Sequence, residues 1–315
     1  MISVNERALK IVRRMVDDAD ALGLAVHELG NGVTVVDSGV NVSGSLEAGR
    51  LFAEACLGGL AQITFCDIDR EGLWIPGLRV VTSHPPIACL AAQYAGWDVK
   101  VGDFVAMGSG PARALRCSDP IFDHVSYKDE SDVGVLALET RKLPDETVAA
   151  TIAEKCGISP DDLYLLVAPT ASLVGSVQVA ARVVETGLHK MVEIDFDVNV
   201  LLSGQGRCPL PPVVADDLGA IGRTNDAVLY GGEVQYTVST EDEVIEEVID
   251  LLPSCASEDY GTSFSELFQR SKGAFYDIDP LLFSPAEVFV NNVTSGRTFH
   301  AGSVDVDMVR RVLLT

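Results

Sequence analysis

A chain that runs from a buried apolar strand straight into an uncharged, hydroxyl-studded helix has few folds open to it. Here that run is Tyr164 to Ala168, then Pro169-Thr170-Ala171-Ser172, then residues 173–187. Pro169, Thr170 and Ser172 suit a helix start, and Gly187 just past the last turn suits a C-cap. Val174, Val177, Ala181 and Val184 fall at helical spacing and can face a core. Arg182 and Glu185 are three apart, so they share a face near the helix C-terminus. No other charge lies between Pro169 and Arg182. Two readings follow. An i,i+3 pair on a wet surface is worth a few tenths of a kcal/mol. A lone pair held in a cleft is a candidate for chemistry.

The rest of the chain alternates strand and helix signals. Residues 5–22 predict an amphipathic helix with Asn5 as N-cap. Leu24 to Asp37 predicts a hairpin around Asn31-Gly32. Helices are expected from Leu46 to Leu57, from Ile87 to Tyr94, and from Asp145 to Cys156 with Gly157 as C-cap. An acidic helix is expected from Glu241 to Leu251. Strands are expected within Gly72 to Thr82, Gly102 to Met107, Val133 to Leu138, Lys190 to Phe196, Ala227 to Tyr230 and Glu233 to Val238. A second hairpin, Glu287 to Val293 with Arg297 to Ala301, precedes a helix from Val306 to Leu314. The two hairpin-plus-helix runs raise the question of a repeat, at too low an identity to decide it. The class is α/β (α+β). The polar stretch Asp119 to Asp132 marks the expected boundary between residues 1–125 and 126–315, with room for the chain to cross between domains more than once.

Charge narrows the partners. Against 46 acidic residues stand 23 basic ones, a net charge of −23. Such a field repels nucleic acid and anionic membranes and tolerates a cationic substrate. No apolar run approaches the ~18 residues of a membrane span, and the first residues lack a signal-peptide apolar region. A cytoplasmic protein is expected. The seven cysteines and five histidines are scattered, with no C-x-x-C and no zinc-like spacing, so no metal is expected.

Several loops are candidate sites. Gly108-Ser109-Gly110-Pro111 follows a strand and precedes Arg113 and Arg116. It reads equally as a phosphate cradle and as a tight turn, without a Walker lysine or a full G-x-G-x-x-G. Residues 91–97 pack small side chains around Gln93, Tyr94 and Trp97, as a helix contact or a ligand ring would require. Residues 221–226 read as a polar loop before a strand, and residues 257–261 as a turn or ligand loop. There is no G-x-S-x-G and no H-E-x-x-H. What remains is acid–base chemistry by a carboxylate beside an arginine.

Together, SVNE near the start, AAQYAGW at 91–97, AMGSGPARAL at 106–115, LLVAPTASLVGSVQVAARVVETG at 165–187, IGRTND at 221–226, LYGG at 229–232 and SEDYG at 257–261 resemble the methenyltetrahydromethanopterin cyclohydrolase family. Residues 41–70 and 116–132 add no string of their own. The resemblance implies a cytosolic homotrimer. It implies subunits of two α/β domains in a family-specific fold, with a pterin held in a pocket between them. It implies reversible hydrolysis of the cationic methenyl carrier to N5-formyltetrahydromethanopterin in one-carbon metabolism, methanogenesis among its settings, without metal or added cofactor. The family's catalytic arginine and glutamate fall on Arg182 and Glu185, and a short site segment falls around Gln93 and Tyr94. Beside these, pterin and phosphate contacts are inferred for Ser109, Thr170 and Asn225.

The chemistry suits the residues. The methenyl carbon of an amidinium-like cation is already electrophilic. Water must be placed on it and lose a proton, a task for Glu185 as base. Arg182 would orient the water, and it favours the charged carboxylate while burial disfavours it. A non-catalytic pterin carrier or regulator is the alternative, and would not need the acid–base pair. A purely structural oligomer is a third reading. A substrate absorbance assay separates them.

Overall fold

The computed structural model describes residues 2–271 and 278–314. Two compact units emerge, Met1–Gln62 with Ile87–Gln178, and Ile63–Pro86 with Val179–Thr315. The chain therefore passes between them after Gln62, Pro86 and Gln178, and residues 119–132 lie inside the first unit.

The first unit contains a six-stranded sheet. In chain order its strands are β1 (Ala25–Glu28), β2 (Thr34–Asp37), β5 (Trp97–Val101), β6 (Phe104–Ser109), β7 (Gly134–Glu139) and β8 (Leu163–Ala168); β3 and β4 belong to the second unit. The spatial order is β1-β2-β8-β7-β6-β5. β2, β8 and β7 run parallel, and antiparallel strands flank them. β8 is buried on both faces, which is why it reads as a continuous apolar run. Leu166 and Ala168 meet α1 (Val4–Asp17) and α3 (Leu46–Cys56). Leu163, Leu165 and Val167 meet α5 (Glu146–Cys156) on the other side. The expected hairpin forms, with Gly32 at φ +87° supplying the left-handed turn. α5 starts at Asp145, whose side chain accepts from Val148 N–H, and ends at Gly157 in the left-handed region.

The helix expected over 5–22 is two helices, α1 and α2 (Ala19–Leu22), and its cap is Ser3, not Asn5. Asn5 is fully buried. Its amide donates to Pro111 O (3.0 Å) and Asp129 Oδ2 (2.9 Å) and its Oδ1 accepts from Val135 N–H (3.0 Å). It is spent on tying α1 to the sheet rather than on its own helix.

The second unit carries the sheet β12-β11-β10-β9-β4-β3. These are β3 (Ala61–Arg70), β4 (Leu73–Thr82), β9 (Leu201–Pro209), β10 (Glu233–Val238), β11 (Glu287–Asn292) and β12 (Thr298–Gly302). One face is buried through Gly204, Gly206, Val234, Tyr236, Val288 and Val290. On the other, Arg207, Gln235 and His300 are exposed. Further helices are α7 (Val183–Glu193), α8 (Asp217–Gly231), α9 (Asp242–Val248), α10 (Phe264–Arg270) and α11 (Val306–Leu313). α6 (Leu173–Ala180) carries the chain from the first unit into the second. Among the described residues no helix is long and apolar enough to cross a membrane.

Two strand expectations are overturned here. Lys190 to Phe196 is not a strand; its first residues continue α7, because Val184, Leu188 and Met191 keep helical period. Ala227 to Tyr230 is not a strand but the end of α8, a short apolar run whose period cannot separate the two forms. The two hairpins are not a repeat. The second strand of β1-β2 pairs inward, parallel to β8, whereas the first strand of β11-β12 pairs inward, parallel to β10.

Candidate active site

At the carboxyl ends of the parallel strands of the first unit, open α/β sheets place their ligands. Several polar groups gather there. Asp37, ending β2, is fully buried and accepts from the N–H groups of Gly39 (3.0 Å), Val40 (2.7 Å) and Asn41 (2.9 Å) and from Asn41 Nδ2 (3.0 Å). Ser172, after β8, donates to Pro169 O (2.7 Å) and accepts from Gly175 N–H (2.9 Å), so it is the hydroxyl that starts α6. Thr170 is buried and donates to Glu139 Oε1 (2.5 Å), and the Gln178 amide donates to Glu139 Oε2 (2.9 Å). Glu139 ends β7 and was not picked out in the sequence. Its only local signal is a carboxylate closing the apolar run Val133 to Leu138.

In the second unit, the Arg182 Nη1 and Glu185 Oε2 lie 3.8 Å apart, with side chains 12% and 6% exposed. That burial removes the wet-surface reading of the pair. The pair does not sit near a helix C-terminus. The helix tightens at Arg182, whose N–H bonds Val179 O (2.9 Å), and Arg182 becomes the N-cap residue of α7. Glu185 therefore occupies the first turn of α7, where the helix dipole favours a negative charge. The cause lies in β9. Val183 and Val184 pack where Gly204 and Gly206 carry no side chain, so the first turn of α7 lies close against the sheet. Gly187 is not a C-cap either. It lies inside α7, facing the Tyr236 hydroxyl.

Gln93 ends a π-helical segment, Pro86–Gln93, and the next residue closes it through Tyr94 N–H on Cys89 O (2.7 Å). Such segments are rare and concentrate at functional sites. Gln93 is buried and Tyr94 half-buried. Sequence reasoning missed what holds this segment. Arg113, itself buried, donates through Nη1 to Leu90 O (3.0 Å), Ala92 O (3.2 Å) and Ala91 O (3.4 Å). Its Nε donates to Asp119 Oδ2 (2.8 Å), and its guanidinium stands 5.1 Å from the centre of the Tyr94 ring. Arg113 thus satisfies carbonyls left at the segment's end.

The Gly108 loop is a turn and not a backbone phosphate cradle. The N–H of Gly110 bonds Ala92 O, that of Ala112 bonds Val135 O and that of Arg113 bonds Gly110 O. Ser109 is buried with its Oγ 4.0 Å from Cys56 Sγ. The string at 221–226 is helix α8, not a loop. Asn225 is half-buried and its amide donates to Ile221 O (2.8 Å) within the helix. The next residue, Asp226, accepts from Phe264 N–H (2.8 Å), and burial pushes its carboxyl up to about 7. Lys190 is buried on α7 and donates to Leu281 O. Its ammonium is pulled down to about 8 by burial. Ser257 of the SEDYG string donates to Asp279 Oδ2 (2.5 Å).

A family model described as Cyclohydrolase (MCH) matches residues 3–313. The methenyltetrahydromethanopterin cyclohydrolase of Methanocaldococcus jannaschii is 47% identical over 318 residues, 99% of this chain and 98% of that protein. The enzymes of that name from Methanothermobacter marburgensis (47% over 317 residues, 99% of each chain) and Methanococcus aeolicus (45% over 318 residues, 99% of this chain and 98% of the relative) are similar throughout.

Proposed function

The chain belongs to the methenyltetrahydromethanopterin cyclohydrolase family, and on that premise we propose that it interconverts 5,10-methenyltetrahydromethanopterin and N5-formyltetrahydromethanopterin by acid–base catalysis at Glu185 and Arg182. One observation above the others supports this reading: a half-buried guanidinium and a buried carboxylate 3.8 Å apart at the start of α7.

Water adds to the methenyl carbon as Glu185 takes one of its protons, giving a neutral tetrahedral adduct. The bond from that carbon to N10 then breaks. N10 leaves with the proton returned by Glu185, the C=O bond forms, and the remaining hydroxyl proton passes to solvent. Cation and water become neutral formyl carrier and one proton. Arg182 holds the water with a planar fork of donors. The carbon is electrophilic before water arrives, so no metal is invoked. Substrate contacts are assigned to Gln93, Tyr94, Ser109, Thr170 and Asn225, and the working form to a cytoplasmic homotrimer.

The test is loss of the methenyl absorbance with time for wild type and Glu185→Gln. A glutamine keeps shape and hydrogen bonding yet cannot take the proton, so a fall in kcat of about 10²–10⁴-fold with retained binding of the formyl carrier is expected. Near-wild-type kcat removes Glu185 as the base. A wild type that binds the pterin without turnover favours the carrier reading.

A further inference from the structure

We propose that His189 and Glu193 carry the product proton from Glu185 to solvent along one face of α7. This rests on the cyclohydrolase reading with Glu185 as base, since that reaction leaves a proton to remove.

Four ionisable side chains fall in one line on α7. Arg182 at the N-cap is followed by Glu185, His189 and Glu193, at intervals of three, four and four residues. Such intervals put side chains on one face, with Cβ atoms about 5–6 Å apart. At one end Arg182 Nη1 lies 3.8 Å from Glu185 Oε2, and at the other His189 Nε2 lies 3.3 Å from Glu193 Oε1. The middle link follows from the helix itself. Helical side chains lean toward the N-terminus and cover the turn before their own. Glu193 reaches back to His189 in this way, and the same lean sets the His189 ring over the turn of Glu185. Lys190 leaves the line, because its ammonium donates to Leu281 O. The line also runs from dry to wet: the side chains of Glu185, His189 and Glu193 are 6%, 18% and 37% exposed. An ordinary surface pair is wet at both ends, whereas this one leads back to a buried carboxylate.

Hydrolysis of the cation yields one proton per turnover. Glu185 returns its first proton to N10 and is a carboxylate again when the hydroxyl proton of the adduct leaves. It takes that second proton and must lose it before the next turnover, yet bulk water reaches little of its side chain. The proton passes from the Glu185 carboxyl to His189 Nδ1, within hydrogen-bond reach or through one water. The imidazolium then gives the proton on Nε2 to the Glu193 carboxylate, and Glu193 gives it to water. Each group ends in its starting state, and one proton has left. Cyclisation runs the same steps inward. A neutral imidazole suits the middle position because one ring nitrogen accepts while the other donates.

The experiment measures kcat and KM for the methenyl carrier in wild type, His189→Ala and Glu193→Gln, at low buffer and with added imidazole. The rate without enzyme is subtracted, and thermal midpoints are taken alongside. At low buffer His189→Ala should lose about tenfold or more in kcat and keep KM within about twofold. Imidazole should restore its rate in proportion to concentration and leave wild type unchanged. Glu193→Gln, at the exposed end, should lose kcat by a smaller factor that imidazole also restores, which keeps the test decisive if the histidine variant folds poorly. Wild-type kcat in either variant, or a loss that imidazole does not restore, overturns the proposal, the second being what a purely structural role predicts. Near-wild-type kcat in Glu185→Gln overturns the acid–base reading instead.

Discussion

The hydroxyl of Tyr236 on β10 occupies the space that a side chain on Gly187 would need, and from there it donates to Val184 O at 2.8 Å. A glycine that reads as the end of a helix is thus the reason the helix continues undisturbed. The bond ties the first turn of α7 to the sheet one residue before Glu185, so the carboxylate and the tyrosine share a backbone anchor.

Gly187→Ala should destabilise the protein although alanine favours helices. The helix gain is up to about 1 kcal/mol, and forcing a methyl into the Tyr236 hydroxyl costs about 1–3 kcal/mol. Removing the hydroxyl with Tyr236→Phe costs about 1 kcal/mol by itself and should relieve much of the alanine penalty. Urea midpoints of the two single variants and the double variant measure this. Strict additivity would show that the two residues do not compete for the space.

Arg182→Lys should be severely impaired although the charge is kept. An ammonium is a point charge and cannot hold carboxylate and water in one plane. Steady-state rates for wild type and variant decide the matter. Full activity with lysine would reduce Arg182 to its charge.

Stability should fall as pH rises from about 4 to about 7 on account of Asp226. Burial raises its folded carboxyl to about 7, with the Phe264 N–H bond and Arg311 pulling the other way. The folded state then keeps a proton that the unfolded chain releases near pH 4, so stability present at low pH is lost as pH climbs to the folded value. Asp226→Asn keeps an acceptor for Phe264 N–H and has nothing to titrate. The stability of wild type relative to this variant should decline by on the order of 1 kcal/mol or more between about pH 5 and about pH 8. A constant difference between the two proteins would assign Asp226 an ordinary carboxyl.

Low salt should weaken the proposed trimer. Each chain carries a net charge of −23, and charges on adjoining subunits repel within a Debye length of about 10 Å at 0.1 M salt. Light scattering and initial rates measured together from about 20 mM to about 1 M salt test this. Constant mass and rate over that range would place the acidic surface away from any subunit contact.

Local features are readable from the chain alone. The Asn31-Gly32 hairpin, α5 between Asp145 and Gly157, and the helix at Val306–Leu313 follow from turn chemistry, caps and period, whose energies act within about four residues. The Arg182 and Glu185 pair was legible for the same reason, as two charges three apart in an uncharged run. The family was legible because whole strings were kept. Tertiary structure alone decided which of these groups are buried and what they meet. Glu139 reaches Thr170 and Gln178 across 31 and 39 residues because β7 lies parallel beside β8. Gly187 and Tyr236, 49 positions apart, meet because α7 packs on β9 and β10. Asn225 looked like a loop residue until α8 drew its amide onto Ile221 O. Strand order and helix packing set such meetings, and neither is written in the spacing of neighbouring residues.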